Sequence, residues 1–373
     1  SLTLLRARLE ARCDIYALGR SLLELLGLLD ARFPETLHYD YAFSWLHLSA
    51  CRMLDGRNQS APDNDLPETW NGLGPELLGA LSYRDCAAIA EDCAKLSGER
   101  NYLETIPELR PFTGRRIMIA PGMPAALTDR VRRTIGHPVF SRLASVPQID
   151  LLASIFPTAT HTRYEHSLGA YRNAILYIQS LWNDAHNPLF RQLVSERDLV
   201  TLLLGVLLHD IGQYPFGHTI EELGSGLRHE ILSELFLENP TPDSDGMTLR
   251  QIIEDPETGW GIPLGDLKRF LAVAGERDEA GPDFFSGHNP TGAMLHSILD
   301  GPIDVDKLDY LVRDSRMCFL HYGDAIDIDR LIANLTIVVS RDGEGREQLL
   351  LGAYDRGGPA AETLSFVRYL LYQ

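Results

Sequence analysis

A mainly helical protein of two domains, carrying one small β-hairpin near its end, is what this sequence predicts, and three observations predict it. Apolar residues recur at helical spacing in Ala11 to Leu29, in Tyr83 to Leu96 and from Leu168 to Trp182. One run, Leu199 to Leu208, is almost wholly apolar, so a helix there has no face for water and must be buried. Between Leu331 and Leu351 the pattern changes to a β-branched run LTIVVS, a turn RDGEGR and a second apolar run QLLLGAY, the signature of a hairpin. The length of 373 residues suggests two domains, each able to bury a core.

Composition narrows the class. Hydrophobic content of 45% and charged content of 23% are those of a soluble globular protein. A net charge of -18 argues against a general nucleic-acid binder or a protein held on anionic lipid, which need a basic surface. It leaves room for an anionic substrate in a locally basic cleft. The cysteines Cys13, Cys51, Cys86, Cys93 and Cys318 are odd in number, scattered and never spaced as CxxC, which reads as reduced thiols rather than disulfides or a zinc site. No run of roughly 18 apolar residues and no signal peptide is visible, so a cytoplasmic protein without a membrane span is expected. The chain starts at Ser1 rather than Met, so part of the natural N-terminus is expected to be missing.

Residues 1–110 form the first expected domain. Ala11 to Leu29 reads as an amphipathic to buried helix with Asp14 as an early cap. Asp55 to Leu73, rich in Asn, Asp, Pro and Gly, reads as a long surface loop, and Tyr83 to Leu96 as a further helix. DIYALGRSLLELL and DCAAIAEDCAKLSGERNY, with Arg100 between the last helices, resemble the C-terminal lobe of a protein kinase. No glycine-rich loop, strand lysine, HRD or DFG precedes them, so kinase activity is not expected. The resemblance implies a docking or regulatory helical domain; an unrelated helical bundle is the plainer reading.

Pro111, Gly114 and Pro121 mark the boundary of the second domain, residues 111–373. From Arg115 to Arg142 the local charge inverts: six arginines, among them Arg130, Arg133 and Arg142, face one acid, Asp129. This basic segment reads either as an anion-binding wall or as a solvated helix face balanced by acids elsewhere.

The chemistry-bearing residues follow. Apolar periodicity from Leu168 onward places Glu165 and His166 at the start of a helix. The buried run ends in His209-Asp210, with Gly212 and Pro215 stopping the helix. A carboxylate at the end of a core helix is costly unless a cation meets it. A divalent metal would serve, and so would a loop capped by Asp210 beside a core histidine. Gly301 to Ser315 puts Asp304, Asp306, Asp309 and Asp314 among Val305, Leu308, Leu311 and Val312. Lys307 and Arg313 cannot neutralise all four acids, and a metal would complete the account.

His166, His209-Asp210 and Asp306 in this order resemble the H...HD...D signature of the HD-superfamily phosphohydrolases, over Phe112 to about Gln373. The strings TRYEHSLG, HDIGQYPFGH and DVDKLDYLVRD are similar to those of the deoxynucleoside triphosphate triphosphohydrolases, a branch that includes bacterial dGTP hydrolases and an animal antiviral dNTP hydrolase. The resemblance implies an HD/PDEase-like helical bundle for the second domain. It makes His166, His209, Asp210 and Asp306 ligands of a divalent metal, one of Mn, Fe, Zn, Mg or Ni, which would lower the pKa of a water and polarise a phosphate. It gives acid, base and phosphate-contact roles to His218, Glu221 and His229, alongside Asp210. It places Gln148, Arg163, Lys307, Tyr310 and Asp314 against the sugar and phosphates of a nucleotide. Gln213 departs from the animal enzyme, which has a catalytic histidine there; the bacterial dGTP hydrolases carry an amide. His161, Asp304 and Asp309 are left to supporting or structural roles. A last helix spans Pro359 to Tyr372, where relatives continue, so a C-terminal portion is expected to be missing.

The expected function is hydrolysis of dNTPs to deoxynucleoside and tripolyphosphate. A phosphatase or pyrophosphatase acting on another nucleotide or phosphate ester is one alternative. A signalling module that senses nucleotides without turnover is another. The expected partners are a nucleotide substrate, further copies of the chain in a homo-oligomer, and a protein docking on the N-terminal domain; neither nucleic acid nor membrane is expected.

Overall fold

The computed structural model describes residues 2–32, 41–54, 73–83, 85–110, 114–119, 123–216, 220, 229–272, 290–343 and 345–371. The first section is helical: α1 (Leu2–Arg32), α2 (Tyr41–Met53), α3 (Pro75–Ala80) and α4 (Cys86–Ser97). α1 lies against α2, burying Ile15, Leu23 and Leu26. Its helix begins well before the expected Asp14 cap. Asp14 stands exposed inside it, because the preceding residues continue the helical turn. α4 is capped by Asp85, whose side chain accepts from the Ala88 amide at 2.9 Å, three residues after the start expected from periodicity. Of the expected loop Asp55 to Leu73 only Leu73 is among the described residues, and it is fully buried.

Next come a two-stranded antiparallel pair, β1 (Arg116–Ile119) and β2 (Met123–Ala126), and the helix α5 (Asp129–Gly136). The pair lies where only a boundary was expected. Four-residue strands broken by Pro124 leave too little alternation to be read.

α6 (Arg163–Trp182), the short α7 (Leu189–Leu193) and α8 (Glu196–Leu208) form the centre of the molecule. Every residue of α8 from Leu199 to Leu208 is buried, as its unbroken apolar character requires. Around them lie α9 (His229–Leu237), α10 (Leu249–Glu254), α11 (Leu264–Leu271), α12 (Pro290–Leu299) and α13 (Val305–Met317). α6 packs on both α8 and α13, while α8 also meets α11 and α12. The expected hairpin is β3 (Leu335–Arg341) with β4 (Glu347–Ala353), in register from Leu335 opposite Ala353 to Arg341 opposite Glu347. It sets Leu335, Ile337, Leu349 and Leu351 into the core and rests on α12. α14 (Gly358–Leu371) closes the described chain against α13.

The fold is therefore mainly helical with small hairpins. Among the described residues no helix is long and apolar enough to cross a membrane. The first section is stapled to the rest by buried polar contacts. Lys95 on α4 donates to the carbonyls of Gln192 and Val194, at 3.0 and 2.9 Å, where α7 ends. The Gly74 amide, just before α3, donates to Glu347 on β4 at 2.7 Å.

Candidate metal centre

Three helices deliver the signature residues to one place. An isolated bridge between Pro147 and Thr162 turns the chain into α6, and Glu165 accepts from the Thr162 amide at 2.8 Å, closing the first turn. His166 follows on the inner face. α8 runs through the core until its apolar residues end, so His209 and Asp210 emerge at its C-terminus, inside the molecule. α13 starts at Asp304, whose carboxylate accepts from the Lys307 amide at 2.6 Å, and this cap sets Asp306 in the first turn.

Nε2 of His166 lies 2.8 Å from Asp306 Oδ1 and 3.8 Å from Asp210 Oδ2. Nε2 of His209 lies 3.5 Å from Asp306 Oδ1 and 3.7 Å from Asp210 Oδ1. Both rings are held from behind. Nδ1 of His166 donates to Asp309 Oδ2 at 2.9 Å, and Nδ1 of His209 donates to the Val206 carbonyl at 2.8 Å. Each ring therefore turns its Nε2 toward the same point, the arrangement by which outer hydrogen bonds orient imidazole ligands.

The electrostatics follow from burial against paired charge. Burial disfavours a charged His166, but hydrogen bonds with Asp306 and Asp309 outweigh it and carry the ring up to about 10. Burial would raise Asp210, yet His209, Arg163, His166 and His229 hold it below the usual carboxylate range. Burial likewise acts against ionised Asp306 and Asp309, and His166 above all keeps both carboxyls low.

The donor set fits a divalent transition metal. Donor atoms each about 2.1 Å from a common ion stand roughly 3–4 Å from one another; each imidazole Nε2 lies 2.8–3.8 Å from an oxygen of Asp210 and of Asp306, while Asp306 stands outside the set whose single ligand atoms are all mutually close. Ligand atoms of His166, His209 and Asp210 all lie within 4.8 Å of one another. Nε2 of His209 is buried without a hydrogen-bond partner, a cost that a cation would remove. A cation bound at Nε2 would replace the proton that His166 otherwise carries there, and Arg163 and Arg313 alone leave Asp210, Asp306 and Asp309 with one surplus negative charge for it to offset.

The other residues singled out by sequence lie as follows. His229 opens α9, with Nε2 4.0 Å from Asp210 Oδ1. Arg163 is buried and donates from Nη1 to Asp210 Oδ2 at 2.9 Å. The bridge that opens α6 also sets Gln148 beside His161, the Gln148 amide donating to the His161 carbonyl at 3.1 Å, and Gln148 is buried with Oε1 unpartnered. Asp314 sits one turn beyond Tyr310 on α13, and its Oδ1 is 2.8 Å from Nε2 of the buried His161. Tyr310 is half-buried against the core. Lys307 pairs with Asp304 and, at 3.8 Å, with Asp300. Gln213 is fully buried, and neither amide atom of its side chain has a hydrogen-bond partner. His218 and Glu221 lie outside the described residues.

Three arginines of the basic segment are already engaged within the protein. Arg130 pairs with the buried Glu108, Arg133 donates to Thr258 and Met247, and Arg142 turns inward. Sequence reading left Asp309 and His161 without assigned tasks, although the spacing of Asp309 and Arg313, one helical turn apart, signalled that pair.

Residues 163–274 match the HD domain family. An uncharacterised protein of Methanocaldococcus jannaschii is 27% identical over 246 residues, which cover 66% of this chain and 42% of that protein. The deoxynucleoside triphosphate triphosphohydrolase SAMHD1 of Bos taurus is 27% identical over 302 residues, 69% of this chain and 47% of the relative. Among solved structures, a phosphohydrolase of Bacteroides thetaiotaomicron aligns with a TM-score of 0.49 at 25% identity, over 69% of this chain and 54% of that one. The chain spans less than half the length of these two curated relatives. His166, His209 and Asp210 thus stand within residues 163–274, the segment that matches the HD domain family.

Proposed function

We propose that the chain is a metal-dependent phosphohydrolase whose favoured substrates are dNTPs, cleaved at the α phosphorus to deoxynucleoside and tripolyphosphate. The observation that carries the reading is the convergence of two outward-braced imidazoles with Asp210 and Asp306. A bound divalent cation supplies Lewis-acid polarisation of a phosphate and acidification of a water at neutral pH. Asp309 fixes the His166 ring so that Nε2 stays turned inward. Arg163 balances Asp210 and is near enough to share its guanidinium with an incoming phosphate oxygen. His161 holds the Asp314 carboxylate in one orientation, as a contact for a sugar hydroxyl requires. The unpartnered amide of Gln213 and Oε1 of Gln148 offer buried polar groups that a nucleotide would satisfy. To His218, Glu221 and His229 we assign proton transfer and phosphate contact, and to Lys307 and Tyr310 the phosphates and the sugar's 2' face. The similarity to SAMHD1 of Bos taurus supports the substrate class.

Residues 1–110 we take as a docking domain. Its likeness to the C-terminal lobe of a protein kinase rests on sequence, and the exposed Leu18, Leu25 and Leu28 on α1 support a partner-facing role.

Metal analysis of the purified chain, then incubation with each dNTP and chromatography of the products, tests the reading. Tripolyphosphate and deoxynucleoside are expected. Orthophosphate or pyrophosphate would favour a phosphatase or pyrophosphatase, and binding without products a nucleotide sensor. Asp210→Ala should lose both metal and turnover; full activity in that variant would exclude the mechanism.

A further inference from the structure

The loop that follows the His209-Asp210 pair is gripped from two sides. Ile211 and Gln213 are buried, and their carbonyls accept from the guanidinium of Arg142, Gln213 from Nη1 at 2.5 Å and Ile211 from Nη2. Arg142 lies some seventy positions earlier in the chain, at the start of a 3-10 turn, Arg142–Ser145. The other face of the loop is pressed on α9. A Cβ at Gly212 would stand 1.9 Å from the His229 carbonyl oxygen and 2.6 Å from Ser233 Oγ, so only glycine permits this approach. The Arg142 guanidinium then reaches α9 as well, with Cζ 3.6 Å from the centroid of the Phe236 ring. Arg142, the loop and α9 form a closed triangle, with Asp210 at the root of the loop and His229 at the start of the helix.

Such a half-buried guanidinium, its Nε left without a partner, is expensive unless its remaining donors are used. Among the described residues no acid pairs with Arg142, and its two terminal nitrogens are both committed to carbonyls of this loop. A residue serving only the fold would do as well with an apolar side chain against Phe236. The planar fork of arginine instead matches two carbonyls two residues apart.

We propose that Arg142 is a positioning residue for the metal centre. By tying the Ile211 and Gln213 carbonyls to α9, it holds Asp210 and His229 in register with His166 and Asp306. This rests on the reading of the site as a metal centre, and the test separates the two ideas.

The experiment compares the full chain with Arg142→Gln, Arg142→Lys, Phe236→Leu and, as a control from the same basic segment, Arg133→Gln. Each is stripped of metal, checked by circular dichroism melting, and titrated with Mn2+ alone by calorimetry. The expected result is a 10- to 100-fold rise in the Mn2+ dissociation constant for Arg142→Gln, the range found when groups orienting a ligand are lost. Arg142→Lys and Phe236→Leu should show smaller rises, and Arg133→Gln a value within twofold of wild type. A rise in Arg142→Lys at unchanged melting temperature supports the proposal, since a purely structural role would move the melt and not the affinity. If Arg142→Gln does not fold, Arg142→Lys decides. A folded Arg142 variant that binds Mn2+ within twofold of a binding wild type overturns the proposal alone. A wild type that takes up no Mn2+ is titrated with Fe2+, Zn2+, Mg2+ and Ni2+ instead, and uptake of none of them overturns the metal reading and this proposal with it.

Discussion

Asp309 accepts a hydrogen bond from Nδ1 of His166 at 2.9 Å across the interface of α6 and α13, and the same carboxylate receives two bonds of 2.8 Å from Arg313. The acid thus serves as an anchor for the ring and is itself locked. Asp309→Ala should free the ring to rotate and weaken divalent-metal binding 10- to 100-fold. Equilibrium dialysis against Mn2+ or Fe2+ checks this; an unchanged affinity would remove Asp309 from the assembly.

Gly169 lies on α6 directly under that anchor. A Cβ there would come within 1.9 Å of Asp309 Oδ1 and 2.4 Å of Arg313 Nη2. In an open helix Gly→Ala gains about 1 kcal/mol. Here the sign should reverse, with Gly169→Ala losing about 1–3 kcal/mol as the ion pair is displaced. Urea unfolding measures it, and a stabilised variant would contradict the packing.

Lys95 is 3% exposed, and besides the Gln192 and Val194 carbonyls it meets Asp92 at 3.4 Å. Lys95→Met keeps most of the stem and removes the donors. It should cost about 3 kcal/mol, since buried acceptors are left unpaired. Proteolysis should then cut the first section earlier than the rest. Identical digestion kinetics would show that the two sections do not depend on this lysine.

Asp198, in the capping box of α8, supplies a pH signature away from the metal centre. Burial pushes its carboxyl up to about 6, against hydrogen bonds from Ser195 that pull it down, and Oδ1 has no partner. A folded carboxyl that holds its proton to higher pH than the unfolded one makes folding take up a proton between about pH 4 and 6. The contribution of Asp198 to stability should fall as pH rises through that window and level off above it. Asp198→Asn cannot ionise, so it should gain on wild type by about 1–3 kcal/mol from pH 4 to pH 7. Denaturation at several pH values tests this, and a pH-independent difference would refute it.

Parts of this architecture were legible because their cause is local. An apolar run with no hydrophilic face had to be the buried α8, and the polar dipeptide ending it had to lie inside the molecule. The β3–β4 hairpin announced itself through β-branched residues and a turn. β1–β2 did not, being short and interrupted by Pro124. Arg142 was invisible as a clamp because its partners are backbone carbonyls, which leave no mark in a sequence. Arg163 and Lys307 read as cations for phosphate, yet their nearest charges are Asp210 and Asp304. Which of several acids a cation meets depends on how helices dock, and no spacing along the chain records that.

The bond between His166 and Asp309 joins residues 143 positions apart. Such a link forms only after α6, α8 and α13 have docked, so an ensemble with native helices but loose tertiary order would have no high-affinity place for an ion. Ion uptake during refolding should therefore trail the recovery of helical signal, making the centre a chronometer for the last stage of assembly.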